Sequence, residues 1–376
     1  MILGIDASTV GSGGAKRHLI EVLNHFVPEK YNFSIIKIWG RQDVLEQLPN
    51  NPYLLKYSHP FLNRGLAYRT IWQFFIRDRS FKSEIDVLIS PFGTYIGKFR
   101  PYATMSRNML VFDKKEQKSF GFSLYRLKFI LLFFIQTKSF RESQGLIFIS
   151  KYAQEYIARH VDYSKTKTKI IHHGISELFI KKPTMQKLLS EYSLTNPYKF
   201  LYVSNVCEYK HQVNVVEVIS RLRHNGFPVS LTLVGAIGQE ETGKKLSKMI
   251  KYVDPHELYI TWNQNVGLTK VVDFYHTSDA FIFASSCENM PNILMEAMAS
   301  GLPIVCSSSK PMPEFLKNAG LYFNPANKDE LEQVLIKFIS NPDLRANLAI
   351  KSFEYSTKYS WKICADDTFR FLSSLS

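Results

Sequence analysis

Residues 280–309 read AFIFASSCENMPNILMEAMASGLPIVCSSS. The opening run, 280–284, is short, apolar and bounded by turn formers, which suits a strand of a parallel sheet covered on both faces. Pro291 is expected at the first residue of a helix, where its missing N–H has no partner to lose. Ile293, Leu294, Ala297 and Met298 then gather on one side of that helix, toward the sheet, while Asn292 and Glu296 lie four apart on another. Gly301 is expected to end the helix in the left-handed conformation, with Pro303 behind it and a second strand from 304. In open α/β sheets ligands bind beyond the carboxyl ends of strands. The loop holding Glu288 stands at such an end.

Glu288 and Glu296 therefore flank a helix start whose free N–H groups favour an anion, a seat suited to a phosphorylated sugar. Two solvated carboxylates would show the same spacing. The stretch resembles the signature of retaining glycosyltransferases of family four, in which Glu, seven residues and Glu lead into an EAMA-G-P segment. Glu288, Glu296, Ala297, Met298, Ala299, Gly301 and Pro303 all match it. This resemblance implies the GT-B fold: an α/β chain of two Rossmann-like parallel-sheet lobes facing a cleft.

A chain of 376 residues, 45% hydrophobic, is the natural length for two domains and has ample apolar surface for two cores. Cys207, Cys287, Cys306 and Cys364 are scattered without pair spacing, against a zinc site or a disulfide framework and in favour of a reducing cytoplasm. Met1 leads directly into the strand-like ILGID, with no signal peptide expected. Of the net charge of +14, residues 1–180 contribute +12, with 26 Lys and Arg against 14 Asp and Glu. That asymmetry points the first lobe at an acidic surface, anionic lipid or nucleic acid. No nucleic-acid-binding signature accompanies it, so no nucleic acid is expected as partner.

The first strand, 2–6, runs into a loop with Gly11, Gly13 and Gly14 before a helical pattern at Leu19, Ile20, Leu23 and Phe26. Such a loop lets backbone approach a phosphate or sugar; equally, it makes a tight connection. By the resemblance, Gly13 and Gly14 bind donor. Further strands are expected at 31–40 and 86–90. Between them a helix around 68–75 holds Trp72, Phe74 and Phe75 near Arg64, Arg69, Arg77 and Arg79, fit either to cover the sheet or to lie on a membrane. Many relatives carry a His near the transferred sugar where residues 101–113 fall. Here Ser106, Arg107, Asn108 and Met109 stand instead, leaving Arg107 or Asn108 as substitutes. Residues 125–144 form a helix whose apolar core, 129–135, is too short to span a bilayer. With Arg126, Lys128, Lys138 and Arg141 around it, it reads as a buried helix or as a basic interfacial one. Ser150 is expected to cap the next helix. His172 and His173 are expected on a strand, 169–176, pointing to opposite faces and so unable to grip one metal ion.

These readings divide the chain into a first lobe, 1–180, a crossing segment, 181–198, a nucleotide-sugar lobe, 199–355, and a C-terminal helix, 356–376, that the resemblance returns to the first lobe. In the second lobe, 199–222 is expected to be a strand, a turn and an amphipathic helix, with further strands at 228–237 and 258–266. By resemblance a basic pair after the first strand of this lobe holds the donor diphosphate. Lys210 matches its second member, and no Arg is evident among Ser204, Asn205 and Val206. Val234, Gly235 and 263–266, Asn263 among them, are implied near the nucleotide base. Asn289, Met290, Pro291 and Asn292 supply the helix tip, Glu296 the ribose contact, and Glu288 the orientation of the donor sugar.

The implied activity is retaining transfer of a hexosyl-type sugar from a nucleoside diphosphate sugar to a hydroxyl on a glycan or lipid-linked acceptor. Lys210 and Glu288 are the catalytic candidates. Bacterial cell-surface polysaccharide or lipopolysaccharide synthesis is the expected setting, in the cytoplasm or on the inner face of the membrane, with no metal and no cofactor beyond the donor. A nucleotide-sugar epimerase of the same fold and a catalytically silent partner subunit are the alternatives.

Overall fold

The computed structural model describes residues 1–375 apart from 12, 82, 83, 119 and 122. The chain forms two compact units: Met1–Gly174 with Tyr359–Ser376, and Ile175–Lys358.

In the first unit, β1 (Ile2–Ala7), β2 (Ile35–Gly40), β3 (Leu54–Tyr57), β4 (Val87–Ser90), β5 (Tyr102–Ser106), β6 (Gly145–Phe148) and β7 (Lys167–Ile170) make one sheet in the order β3-β2-β1-β4-β5-β6-β7. Every pairing in it is parallel. The second unit repeats the plan with β8 (Tyr198–Val203), β9 (Val229–Val234), β10 (Ile260–Asn263), β11 (Ala280–Phe283), β12 (Ile304–Ser307) and β13 (Leu321–Phe323), ordered β10-β9-β8-β11-β12-β13 and again parallel throughout. Both are the Rossmann order, so both reverse direction at one place: between β1 and β4, and between β8 and β11. The expected α/β class of two Rossmann-like parallel sheets is thus the observed one.

Central strands are buried from end to end. VLIS in β4, GLIF in β6, AFIF in β11 and IVCS in β12 each have four buried residues in succession, because parallel strands carry helices on both faces. The C-terminal helix Trp361–Ser373 packs in the first unit, with the Phe369 ring 4.9 Å from Phe26 and 5.1 Å from Tyr31. Lys169 pairs with its Asp367 at 2.6 Å.

Several local expectations shift. Pro291 is not the first helical residue but the cap before it, the helix being Asn292–Ala299. Strand β7 ends at Ile170, so His172 and His173 do not alternate across a sheet. His172 Nδ1 donates to the Ile149 carbonyl, 3.1 Å away, while His173 stacks beside Trp361 in the interior. The aromatic helix is broken in the middle: Leu66–Ile71, a π-helical turn Trp72–Ile76, then Arg77–Phe81. Residues 181–198, expected as a crossing, are tied into the second unit. Lys181 N donates to Ala299 O at 3.0 Å, and the buried Arg345 donates to Gln186 Oε1 at 3.3 Å and to the Lys187 carbonyl. Gly301 is where that tie requires glycine. Its φ is +66°, and a Cβ there would lie 2.6 Å from Lys181 O.

Candidate functional site

Strands β8 and β11 flank the reversal point of the second sheet, and the two candidate catalytic residues come from the segments that follow them. After β8 the chain makes a short 3-10 turn, Glu208–Lys210, and His211 enters the next helix at φ +53°. After β11 it runs through the loop 284–291. Two bonds stitch these segments together: Ser286 N donates to Tyr209 O at 2.9 Å, and His211 Nε2 lies 3.2 Å from Ser286 Oγ. The result is that Lys210 Nζ meets Glu288 Oε1 in an ion pair across 78 residues of sequence. The side chains are 8% and 16% exposed, so the pair lies largely out of water. Breaking such a pair by removing one partner costs about 3–5 kcal/mol when it is fully buried.

Aromatic groups complete the surroundings. Tyr202 donates to the Lys210 carbonyl at 2.5 Å, and the ammonium stands 5.1 Å from the Tyr209 ring centre and 5.4 Å from that of Phe283. Burial, reinforced by the Glu288 carboxylate, pushes the Tyr202 and Tyr209 phenols well up, so both stay protonated. Burial and Glu288 do the same for the Cys306 thiol. Burial lowers His211, leaving its imidazole neutral at pH 7.

Beside the pair is a cavity of about 370 Å³ lined by Val203, Ser204, Asn205, Tyr209 and Lys210 on one side. Val234, Gly235, Ala236, Asn265, Val266, Val271 and Ile293 line the other. Gly235 belongs to it for a steric reason: at φ +146° a Cβ would fall 2.1 Å from Ser204 O, so only glycine lets β8 and β9 end this close together. Asn263 does not line the cavity. Its carbonyl accepts from Gly235 N at 2.9 Å, and Asn265, two residues on at φ +52°, is the asparagine that does. Tyr209, Ser204 and Ile293 were not picked out by sequence reasoning. Only the position of Tyr209 beside Lys210 hinted at its place.

The helix start lies next to the same loop. Asn289, Met290 and Pro291 are buried, Asn292 and Glu296 half-buried, and Tyr275 Oη donates to Glu296 Oε2 at 3.3 Å. Of the positions singled out in this unit, Lys210, Val234, Gly235, Asn265 and Val266 line the cavity, and Glu288 is bonded to Lys210. Asn289, Met290, Pro291, Asn292 and Glu296 form the neighbouring loop and helix, and Asn263 supports the wall from behind.

Gly13 and Gly14 stand in the first unit, at the start of the helix Gly14–Asn24 that follows β1. Gly13 has φ +76°, and a Cβ on it would meet nothing within 4 Å, so the loop borders open space. Arg107, just past β5, donates from Nη2 to Gly14 O at 3.3 Å and lies over the Phe92 ring at 5.4 Å. No carboxylate pairs with it among the described residues, its Nη1 is buried without a partner, and burial lowers its pKa to about 10. Asn108 turns the other way and caps the turn Met109–Val111, accepting from Leu110 N at 3.0 Å.

The helix Leu124–Glu142 presents two apolar sides. Phe129 and Phe140 are buried, whereas Leu124, Leu127, Leu131 and Phe134, spaced by three or four, are 60–85% exposed in company with the exposed Lys128, Lys138 and Arg141. No helix among the described residues is long and apolar enough to cross a membrane.

Residues 186–354 match the family model for glycosyl transferases group 1. Among curated proteins, the chain is similar to the O-antigen chain mannosyltransferase B of Escherichia coli, 26% identical over 94 residues, and that match spans only a quarter of either chain. It is 24% identical to an uncharacterized glycosyltransferase of Haemophilus influenzae over 371 residues, 95% of this chain and 96% of that one. Among solved structures, Anabaena HepE in complex with UDP and glucose superposes over 100% of both chains with a TM-score of 0.73 at 17% identity.

Proposed function

Because its residues 186–354 belong to the glycosyl transferases group 1, we propose that this chain transfers a sugar from a nucleoside diphosphate sugar to a hydroxyl acceptor, with the anomeric configuration retained. The observation that carries this reading is the enclosed Lys210–Glu288 pair, set between the two strand ends of a Rossmann reversal point and against a cavity floored by Gly235. A lysine ammonium and the N–H groups opening the helix Asn292–Ala299 are the positive field a departing diphosphate needs, and both are fixed before reaction. In this reading Asn265, Val266 and Gly235 surround the base. Glu296, held by Tyr275, takes the ribose hydroxyls, and Glu288 orients the sugar. Gly13 and Gly14 of the first unit stay in this reading as donor-binding candidates.

The relative named for O-antigen synthesis and the exposed basic and apolar helix Leu124–Glu142 support a setting in cell-surface polysaccharide or lipopolysaccharide assembly. There the first unit would rest on the anionic inner face of a membrane, near a lipid-linked acceptor. Flotation with vesicles tests that part: binding indifferent to anionic lipid content, or to removing Leu127, Leu131 and Phe134, rejects it. For the reaction itself the decisive experiment is a panel of nucleotide sugars assayed by thermal shift and by hydrolysis, a stabilising donor being the expected result. Asn205, exposed at the cavity and with no arginine beside it to complete the basic pair that the resemblance implies, favours one rival, a silent subunit that binds no nucleotide; calorimetry with UDP and GDP separates the two.

A further inference from the structure

The pair that carries the proposed function also has a chemical consequence for which ligand the site accepts. Lys210 and Glu288 are exclusive partners: among the described residues the ammonium touches no other carboxylate, and the carboxylate receives no other cation. The ammonium also stands over the faces of the Tyr209 and Phe283 rings, which offer no acceptor oxygen. Backbone on both sides is pinned, by Tyr202 to the Lys210 carbonyl and by Ser286 N to the Tyr209 carbonyl, so partners can be exchanged only by turning side chains.

Lys210 lines the cavity and Glu288 does not, which makes the ammonium the one group that carboxylate and ligand must share. A diphosphate arriving there brings more negative charge than the lysine can balance while it still holds Glu288. Water reaches the carboxylate poorly, so once relieved of the ammonium it needs another hydrogen-bond donor. A sugar hydroxyl attached to the diphosphate is such a donor. A bare nucleoside diphosphate ends at its β-phosphate and has no sugar hydroxyl beyond it to give.

We infer that Glu288 is a placeholder counter-ion for Lys210, displaced by the donor diphosphate and satisfied again by a hydroxyl of the sugar that diphosphate carries. The site thereby prefers a nucleoside diphosphate sugar to the nucleoside diphosphate left after transfer. This rests on the proposed function, and it adds a selectivity and product-release device to it. No bond is made or broken in the exchange; only hydrogen bonds change partners.

The experiment is calorimetry on the full chain with UDP, UDP-glucose, GDP and GDP-mannose, using wild type and Glu288→Gln, which keeps the shape and removes the charge. Wild type is expected to bind one sugar form at least about ten-fold more tightly than its diphosphate. Glu288→Gln is expected to bind the bare diphosphate at least about ten-fold more tightly than wild type, bringing the ratio of the two ligands toward one. Equal wild-type affinity for the two forms overturns the inference, and so does an unchanged diphosphate affinity in a folded Glu288→Gln. Should that variant not fold, wild type decides alone through deoxy analogues of the preferred donor sugar. One of them should fall to the affinity of the bare diphosphate, and no loss from any of them overturns the idea. Failure of every nucleotide to bind wild type would instead strike the proposed function.

Discussion

The two units repeat one sheet order and treat one cation just beyond a strand end, Lys210 and Arg107, in opposite ways. In the second, Lys210 follows β8 and is matched by Glu288 from the segment after β11. In the first, Arg107 follows β5, grips the carbonyl of Gly14 at the end of the glycine loop, and has no carboxylate against it. The contrast teaches that a common scaffold fixes where strand ends converge, while the loops decide whether charge gathered there is balanced. A matched pair is costly to disturb because either half alone is an uncompensated charge in a dry place. The half-buried Arg107 guanidinium has no carboxylate to strand, so removing it leaves no charge uncompensated.

The comparison can be broken at its strongest point first. Lys210→Ala is expected to lower turnover at saturating donor by about 10²- to 10³-fold, the scale of losing one preorganised group at a developing negative charge. Steady-state kinetics with the selected donor measures it, and a near-normal rate removes lysine from its assigned role. Glu288→Ala strands the ammonium and is expected to cost about 2 kcal/mol of stability, below the fully buried range because the pair keeps slight exposure. Urea unfolding gives the value, and an unshifted midpoint would mean the pair contributes nothing. Arg107→Met is expected to stay within about 1 kcal/mol of wild type on the same assay, since it deletes a cation with no partner carboxylate. A loss larger than that of Glu288→Ala would reverse the contrast.

The smallest expected effect is on pH. His18, buried in the first unit beside His173 and Cys364, is held well below its ordinary 6.5, first by burial and then by the Arg107 charge. The folded state therefore resists a proton that the unfolded chain accepts. Its share of stability is complete above about pH 6.5 and declines as pH falls below that value. Replacing His18 with Gln is expected to flatten the decline in urea midpoint between pH 7.5 and 5.5. An identical slope in both proteins would show that the residue does not couple to folding.

Much of this site was legible as text. The run 280–309 announced strand, loop, helix and strand in the right order, and Gly301 adopts the left-handed conformation its place after the helix demanded, because periodicity and glycine conformation are local properties. Boundaries were less secure, since a cap depends on one dihedral pair: Pro291 turned out one position outside the helix it was expected to begin. Strands β3 and β13, of four and three residues, gave too short a pattern to be noticed. His172 and His173 looked like strand residues because β7 continues into an apolar context that the sheet itself does not follow.

The sequence by itself determined the class of the chain, the parallel character of its strands and the presence of a carboxylate, a helix tip and a lysine suited to a phosphorylated ligand. All of these reside in residues near one another along the backbone. Only the tertiary structure decided that Lys210 and Glu288 hold each other, that Asn265 rather than Asn263 faces the cavity, and that Arg107 reaches the glycine loop without a counter-charge. Those facts depend on which strand ends lie side by side and how far each loop extends beyond them, and the order of strands in a sheet is set by the packing of the whole chain.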